Sequence, residues 1–407
     1  MAVGTSHGNI IVGLDVGTTK ICVVVGEVIN NKIEILGVSS SPSTGLRKGV
    51  VVNIEATVNS IRKAVETAES VSGVEINSVY VGISGGHIKG INSIGASGVR
   101  GKEVTNDDVE RVIDSAKAVY VPLDREVLHV IPTGYTIDGL NGIKDPVGMI
   151  GTRLEAKVYI LTGAITSVQN LLKCCEKAGL EVIDIVFEPL ASAEAILTEE
   201  EKELGVAVVD IGGGTTDVIL YRDGWLRHTS VLAVGGNHFT NDIAVGLGIS
   251  INEAEKIKKK YGHAVLTAID EYEEIKILRS GEIVVIPRLQ LCEIIYPRTE
   301  ELIEIINNEL KACSGYEIAS SGVVLTGGGS LLSGIDVLAA DIFGLPVRIG
   351  MPSKIYGQKE ITGNPMYSTG IGLVLYGYNV EREMEIYSAT FTGIFGKMKE
   401  WVKGIFR

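Results

Sequence analysis

The sequence predicts an α/β protein made of two similar halves, with a segment inserted into the first half and a charged, mostly helical outer segment in the second. Three observations predict it. An apolar run that ends in aspartate, glycine and two threonines occurs twice, as IIVGLDVGTTK over 10–20 and VAVVDIGGGTTD over 206–217, roughly 195 residues apart. Each copy is followed by a second apolar run, ICVVVGEV or VILYRDG, so each reads as a β-hairpin closed by a tight turn. Between the copies, the glycine-rich stretch SGGHIKGINSIGASG and a capped helix interrupt the alternation of strand and helix.

The elements follow in order. Residues 8–83 alternate strands with one amphipathic helix near 54–71, which puts Ile54, Val58, Ile61, Val65 and Ala68 on one face. Residues 84–162 read as the insertion: SGGHIKGINSIGASG is hairpin material, and Thr105 to Asp108 form a capping box ahead of VERVIDSAKAV. Residues 163–205 and 206–244 return to the core pattern. Residues 245–320 are charged and mostly helical, with a hairpin in EEIKILRSGEIVVIPRL and a helix over IIYPRTEELIEIINNEL. Residues 321–380 complete the core. There VVLTGGGSLLSG, over 323–334, predicts a strand, a glycine turn and a helix carrying Leu331, Ile335, Leu338, Ala339 and Ile342. In AVGGNHFTNDIA, Gly235 and Gly236 precede another helix, and 381–390 reads as a polar connector.

Bulk composition excludes several classes. The 407 residues carry a net charge of −13, which disfavours a nucleic-acid-binding body. Cys22, Cys174, Cys175, Cys292 and Cys313 are odd in number and contain no C-x-x-C, the pattern of reduced thiols in a cytosolic protein. No stretch reaches the ~18 apolar residues that span a bilayer, and no signal peptide is visible. The sequence lacks G-x-x-x-x-G-K-[ST], and no G-x-G-x-x-G opens a helix after the first strand. A P-loop enzyme and a dinucleotide dehydrogenase are therefore both disfavoured.

The repeated turn suits phosphate. Glycine lets backbone N–H groups converge on an anion, and Thr18, Thr19, Thr215, Thr216 and Lys20 add hydroxyls and a cation. Two such turns facing each other would clamp a polyphosphate, with Asp15 and Asp210 aimed at the metal that neutralises it. Magnesium prefers oxygen ligands and keeps several waters, so one or two carboxylates suffice.

These clusters, in this order, resemble the actin/hexokinase/DnaK-type ATPase superfamily. DVGTTK and DIGGGTTD match its two phosphate loops, LTGGGS its adenosine loop, and FEPLASAEA and YSTGIGLVLYG its two connecting helices. Within it, DREVLHVIPTGYTIDG, DPVGMIGTRLEAKVYILTG, EPLASAEAILTEEEKELGVAVVDIGGGTTDV and AEKIKKKYGHA resemble the FtsA family, over nearly the whole chain. The resemblance implies an actin-like fold. In it, 8–83 with 163–205 form core subdomain 1A, 84–162 the inserted subdomain 1C, 206–244 with 321–380 core subdomain 2A, and 245–320 the outer subdomain 2B.

The resemblance also implies roles. ATP and Mg²⁺ are the expected cofactors. Gly17, Thr18, Thr19 and Lys20 hold phosphates from one side, and Gly212, Gly213, Gly214 and Thr215 from the other. Asp15 and Asp210 hold the metal, through water, and join the catalytic set. Gly235, Gly236, Glu255, Lys258, Lys259, Gly327, Gly328, Gly329 and Ser330 border the nucleoside. Lys258, Lys259 and Lys260 read equally as a solvated helix face. Glu188 stands where relatives orient the attacking water; read alone, a carboxylate before Pro189 is also what a helix cap looks like. Subdomain 2B is the expected seat of the C-terminal peptide of the tubulin-like protein FtsZ, with Arg288 and Arg298 able either to meet its carboxylates or to form surface ion pairs.

The last segment, 391–407, is an amphipathic helix by its spacing. Phe391, Ile394, Phe395, Met398, Trp401, Val402, Ile405 and Phe406 fall within an arc of roughly 140°. Lys397, Lys399, Lys403 and Arg407, with Glu400, occupy the rest, so the tail is +3 on an acidic body. Aromatic and basic faces on one short helix are the signature of an interfacial membrane binder. The whole reading is a peripheral protein of the cytoplasmic membrane face at the division septum. It self-polymerises, ties FtsZ filaments to the membrane and is at most a weak ATPase. A PilM-like assembly scaffold and a metabolic kinase of the same superfamily are the alternatives.

Overall fold

The structure is a computed structural model that describes residues 9–313, 319–357, 361 and 363–390, with the backbone alone for 383–390. The tail over 391–407, with all its expected membrane-facing residues from Phe391 to Arg407, lies outside the described residues.

The first half opens with an antiparallel meander of β1 (Asn9–Val16), β2 (Lys20–Ile29) and β3 (Lys32–Pro42). The run Ile21 to Val25 is buried throughout, as in strands covered on both faces. A short pair, β4 (Leu46–Arg47) and β5 (Val50–Val51), leads to α1 (Ile54–Ser72). Asn53 starts this helix by accepting the Ala56 N–H at 3.0 Å, and Gly73, at φ 72°, ends it. Val58, Ile61, Ala64, Val65 and Ala68 form its buried face. Strand β6 (Ser78–Ile83) then runs parallel to β1.

The insertion is a four-stranded antiparallel sheet with one helix. It comprises β7 (Lys89–Gly98), α2 (Asn106–Lys117), β8 (Arg125–Ile137), β9 (Leu140–Ile143) and β10 (Arg153–Ala164), in the order β7-β10-β8-β9. The capping box is present: Thr105 Oγ1 accepts the Asp108 N–H at 3.3 Å, and Asp108 accepts the Thr105 N–H at 2.9 Å. The expected hairpin in SGGHIKGINSIGASG is corrected. That stretch supplies the single strand β7, whose partner β10 lies some sixty residues on, and α2 closes over it at Gly95. A methyl group on Gly95 would lie 2.2 Å from the Val112 carbonyl oxygen.

The chain returns through α3 (Ile165–Ala178), β11 (Glu181–Phe187), α4 (Glu188–Ile196) and α5 (Glu199–Leu204). The second half repeats the plan with β12 (Val206–Ile211), β13 (Thr216–Arg222) and β14 (Trp225–Leu232). Helices α6 (Gly236–Leu247) and α7 (Ile251–Tyr261), the hairpin β15 (Glu274–Arg279) and β16 (Glu282–Pro287), and α8 (Arg288–Ala312) form its outer part. Strand β17 (Val323–Thr326), α9 (Ile335–Phe343), β18 (Val347–Ile349) and α10 (Ser368–Thr390) complete it.

The two main sheets have the orders β11-β6-β1-β2-β3 and β18-β17-β12-β13-β14, which are one topology used twice. The fold is thus actin-like, with the duplication set by the two hairpins. Helices α4 and α10 pack together at the centre, where a methyl group on Gly372 would lie 1.8 Å from the Ala191 carbonyl oxygen. Residues 381–390, read above as a connector, continue α10 as helix. Near that end Glu381 accepts a hydrogen bond from Asn9 Nδ2, which ties the helix to the start of β1.

Candidate functional site

Both hairpin turns close in the same way. Gly17 donates its N–H to Lys20 O at 3.1 Å, and Gly212 donates to Thr215 O at 2.9 Å. The turns face each other closely. A methyl group on Gly213 would lie 1.8 Å from Thr19 Oγ1, and one on Gly214 would lie 2.9 Å from Thr18 Oγ1. Thr18 Oγ1 in turn accepts the Gly49 N–H at 3.0 Å, and Thr19 Oγ1 lies 3.4 Å from Asn237 Oδ1. The structure therefore brings Gly17, Thr18, Thr19 and Lys20 against Gly212, Gly213, Gly214 and Thr215.

Carboxylates gather behind the turns. Asp15 ends β1 opposite Cys22, and Asp210 stands opposite Asp217 across β12 and β13. Lys20 Nζ lies 3.3 Å from Asp15 Oδ2 and donates to Met366 O at 2.7 Å. Asp210 Oδ2 accepts from Ser192 at 2.7 Å and Thr369 at 3.4 Å, so both central helices hold it. Glu188 is the first residue of α4 and lies against Gly82, where a methyl group would sit 2.9 Å from its Cγ. Burial, reinforced by Asp15, Asp217 and Asp210, raises the Glu188 carboxyl well above the ordinary carboxylate range, against the pull of Lys20. Burial also raises Asp210. It pushes Asp217 up to about 8, with the charge of Asp210 adding to the effect.

Asp217 was not singled out from the sequence, although a signal existed. In VVDIGGGTTD the two aspartates bracket a hairpin turn, and their equal distance from it makes them cross-strand partners. Four carboxyl groups thus cluster near one ammonium, which pairs with Asp15. Fully ionised they would leave three uncompensated negative charges in a buried place, so the cluster must hold protons or a cation. Among the described residues no three His, Cys, Asp or Glu side chains are set to ligate a metal directly. The arrangement fits a hard cation that keeps water and phosphate oxygens as ligands.

The residues expected to border a nucleoside lie partly on α6 and α7. Lys258 Nζ donates to Gly236 O at 3.0 Å and to Thr240 Oγ1 at 2.8 Å, and pairs with Glu255 at 2.6 Å. Burial lowers the Lys258 ammonium, against the pull of Glu255. Lys259 pairs with the other Glu255 oxygen at 3.1 Å and is itself exposed. The first N–H groups of α6 are already used: Gly236 N donates to Gly212 O at 2.9 Å and Asn237 N to Gly213 O at 2.8 Å. This helix start, with Gly235 as its cap, locks the second turn in place rather than offering a free anion site.

Gly327 is at φ 80°, and a methyl group there would lie 2.2 Å from Asp210 Oδ1. Only glycine lets the third loop approach the carboxylate so closely. The helix expected straight after LTGGGS is displaced. Gly328–Leu331 form one 3₁₀ turn, so Leu331 is not on the helix, Ser330 Oγ donates to Gly327 O at 2.7 Å, and α9 starts only after Gly334.

Arg288 and Arg298 lie apart from this cleft. Arg288 bonds Tyr261 O and Glu273, both at 2.8 Å. Arg298 joins α8 to α6 through Asp242 at 2.6 Å and also pairs with Glu301. Both are thus engaged within the chain. No helix among the described residues is long and apolar enough to cross a membrane.

Comparison with known proteins agrees with this layout. The family model described as cell division protein FtsA matches residues 207–372, and that of the SHS2 domain inserted in FtsA matches residues 85–162. Cell division protein FtsA of Pseudomonas aeruginosa is 43% identical over 412 residues, covering 98% of this chain and 99% of its own. That of Escherichia coli is 39% identical over 410 residues, covering 97% and 98%. Among solved structures, a PilM–PilN type IV pilus biogenesis complex is 19% identical with a TM-score of 0.67, covering 90% of this chain and 98% of its own. MreB5 of Spiroplasma citri bound to ADP is 17% identical with a TM-score of 0.56, covering 93% and 98%. The structural likenesses speak for the fold alone. The sequence similarity runs the length of both chains, and it places this chain in the FtsA family of cell division proteins.

Proposed function

We propose that the chain binds ATP with Mg²⁺ between the two hairpin turns, assembles with copies of itself, and ties FtsZ filaments to the cytoplasmic face of the membrane at the septum. The observation that carries the nucleotide part is the clustering of Asp15, Asp210, Asp217 and Glu188 behind two glycine turns, with Lys20 paired to Asp15. Such a site calls for a divalent cation and a polyphosphate together. Asp15 and Asp210 would hold Mg²⁺ through water. The turn glycines, Thr18, Thr19, Thr215 and Lys20 would bind phosphates. Glu255, Lys258, Lys259 and the Gly327 to Ser330 loop would border the nucleoside. Bound Mg²⁺ would supply charge neutralisation at the phosphates.

Glu188 would receive the proton of an attacking water. A carboxyl that burial and its acidic neighbours hold well above the ordinary range is a poor base until the cation arrives, so slow hydrolysis is the expected behaviour. We assign 8–83 with 163–205, and 206–244 with 321–380, as the core pieces that flank the cleft. Segments 84–162 and 245–320 are assigned as inserted and outer parts.

The tether rests on family membership and on the tail. Residues 391–407 carry eight large apolar side chains and four cations in the pattern of an interfacial helix. One such helix binds weakly; a polymer presents many, and effective concentration makes attachment firm. At the other end, an acidic FtsZ peptide would compete with Asp242 and Glu301 for Arg298, and with Glu273 for Arg288.

The nucleotide part is tested by titrating ATP into the full chain with Mg²⁺ and with EDTA. Saturable binding that needs the metal is expected. Heat or fluorescence traces that stay flat in both conditions would overturn the reading.

A further inference from the structure

The inserted sheet touches both halves of the molecule. On the second half, Tyr159 of β10 receives the Thr229 N–H on its hydroxyl at 3.2 Å and lies 3.2 Å from the Thr229 hydroxyl. Tyr135 of β8 packs edge-on against Trp225 at the start of β14, with ring centres 6.5 Å apart. On the first half, His129 of β8 accepts the Phe187 N–H on Nε2 at 3.0 Å.

That last bond lies at a telling place. Strand β11 is the edge of its sheet and bonds β6 on one side only. The outward N–H at its end would be unpaired, and the imidazole takes it. Phe187 is the cap of α4 and the residue immediately before Glu188. An accepting Nε2 is bare, so the ring is neutral with its proton on Nδ1. Burial favours this form, against the pull of Asp184. The Tyr376 ring stands edge-on at 6.3 Å, and the Tyr376 hydroxyl donates to Asp184 at 2.9 Å.

We propose that His129 is a positioning residue that passes the placement of the inserted domain, itself fastened to the second half at Thr229 and Trp225, to the Glu188 carboxyl in the cleft. Opening or closing the two halves moves β14 relative to β11. The insertion is bonded to both, so its His129 end pulls on the backbone that aims Glu188. This rests on the reading of Glu188 and the nucleotide cleft given above.

The test uses the full chain with His129→Gln, which keeps an acceptor near the Nε2 position, and His129→Leu, which removes it. Tyr159→Phe, which keeps the ring and loses the hydroxyl, is a second break in the same strap. Three quantities are read: Mg–ATP affinity, single-turnover cleavage of ATP, and amide hydrogen exchange at Phe187 and across 125–137 with and without Mg–ATP. In the Leu variant affinity stays within about twofold, cleavage slows about tenfold, and exchange at Phe187 quickens about tenfold or more. The exchange change that Mg–ATP produces over 125–137 in the wild type is lost in the Leu and Tyr159→Phe variants, and the Gln variant restores wild-type behaviour. A Leu variant with fast exchange at Phe187 but wild-type cleavage and an intact response over 125–137 overturns the proposal. So does a wild type that binds Mg–ATP without any response over 125–137. A wild type that binds no nucleotide overturns the cleft reading itself.

Discussion

Asp217, on the second strand of the second hairpin, accepts the hydroxyl of Ser84, just past the end of β6 in the first half, at 2.8 Å on both of its oxygens. This is a direct tie between the halves on the floor of the cleft. Burial and the neighbouring Asp210 push the Asp217 carboxyl up to about 8, against the pull of Ser84. The folded chain therefore keeps a proton that the unfolded chain releases above its ordinary value of 3.8. Stability contributed by that proton is present at acid pH and is lost as pH rises through the window up to about 8. Without nucleotide or metal, Asp217→Asn should gain over wild type as pH rises, melting about 2–5 °C higher at pH 8 and with little difference near pH 4. Thermal melts of both proteins across that range check it. An Asn variant that melts lower at pH 8 would show that the carboxyl is not held protonated.

Glu188 offers a cleaner separation of binding from chemistry. Burial and the neighbouring Asp15, Asp217 and Asp210 raise its carboxyl well above the usual range, which favours the neutral form, and Gln is close to an isostere of that form. Glu188→Gln should leave the melting temperature and Mg–ATP affinity nearly unchanged. It should slow single-turnover cleavage by about 100-fold, the loss expected on removing a general base. Equal loss of affinity and rate would mean the side chain only shapes the site.

The approach of the two turns predicts a specific rescue. A methyl group on Gly213 would lie 1.8 Å from Thr19 Oγ1, so Gly213→Ala must push the turns apart. The cost should be about 1–3 kcal/mol. Removing the obstructing hydroxyl with Thr19→Ala in the same chain should recover part of it. Chemical denaturation of the two single variants and the double variant measures the coupling. Strict additivity would show that the turns do not touch.

Much of this arrangement was legible in the sequence. The Asp-Gly-Thr runs gave both hairpins because burial on two faces makes continuous apolar strands, and an aspartate before glycine marks where they stop. Thr105 and Asp108 gave the start of α2, since a capping box is a local signal. Residues that act across the fold were harder to read. Ser84 meets Asp217 from 133 positions away, and His129 meets Phe187 from 58 away. Neither pair leaves a periodic trace. The 3₁₀ turn at Gly328 was missed because the distance between a glycine loop and the next helix start depends on packing against Asp210. The helical course of 381–390 was missed because polar residues continue a helix readily when its earlier turns are anchored in a core.

Joining a filament to a membrane is the role proposed for this chain, and co-sedimentation with anionic vesicles measures it. The full chain and a chain ending at residue 390 are spun with vesicles, with and without Mg–ATP and FtsZ. The full chain should pellet and carry FtsZ with it, while the shortened chain and its FtsZ stay in the supernatant. A shortened chain that pellets equally, or a full chain that pellets and leaves FtsZ behind, would contradict it.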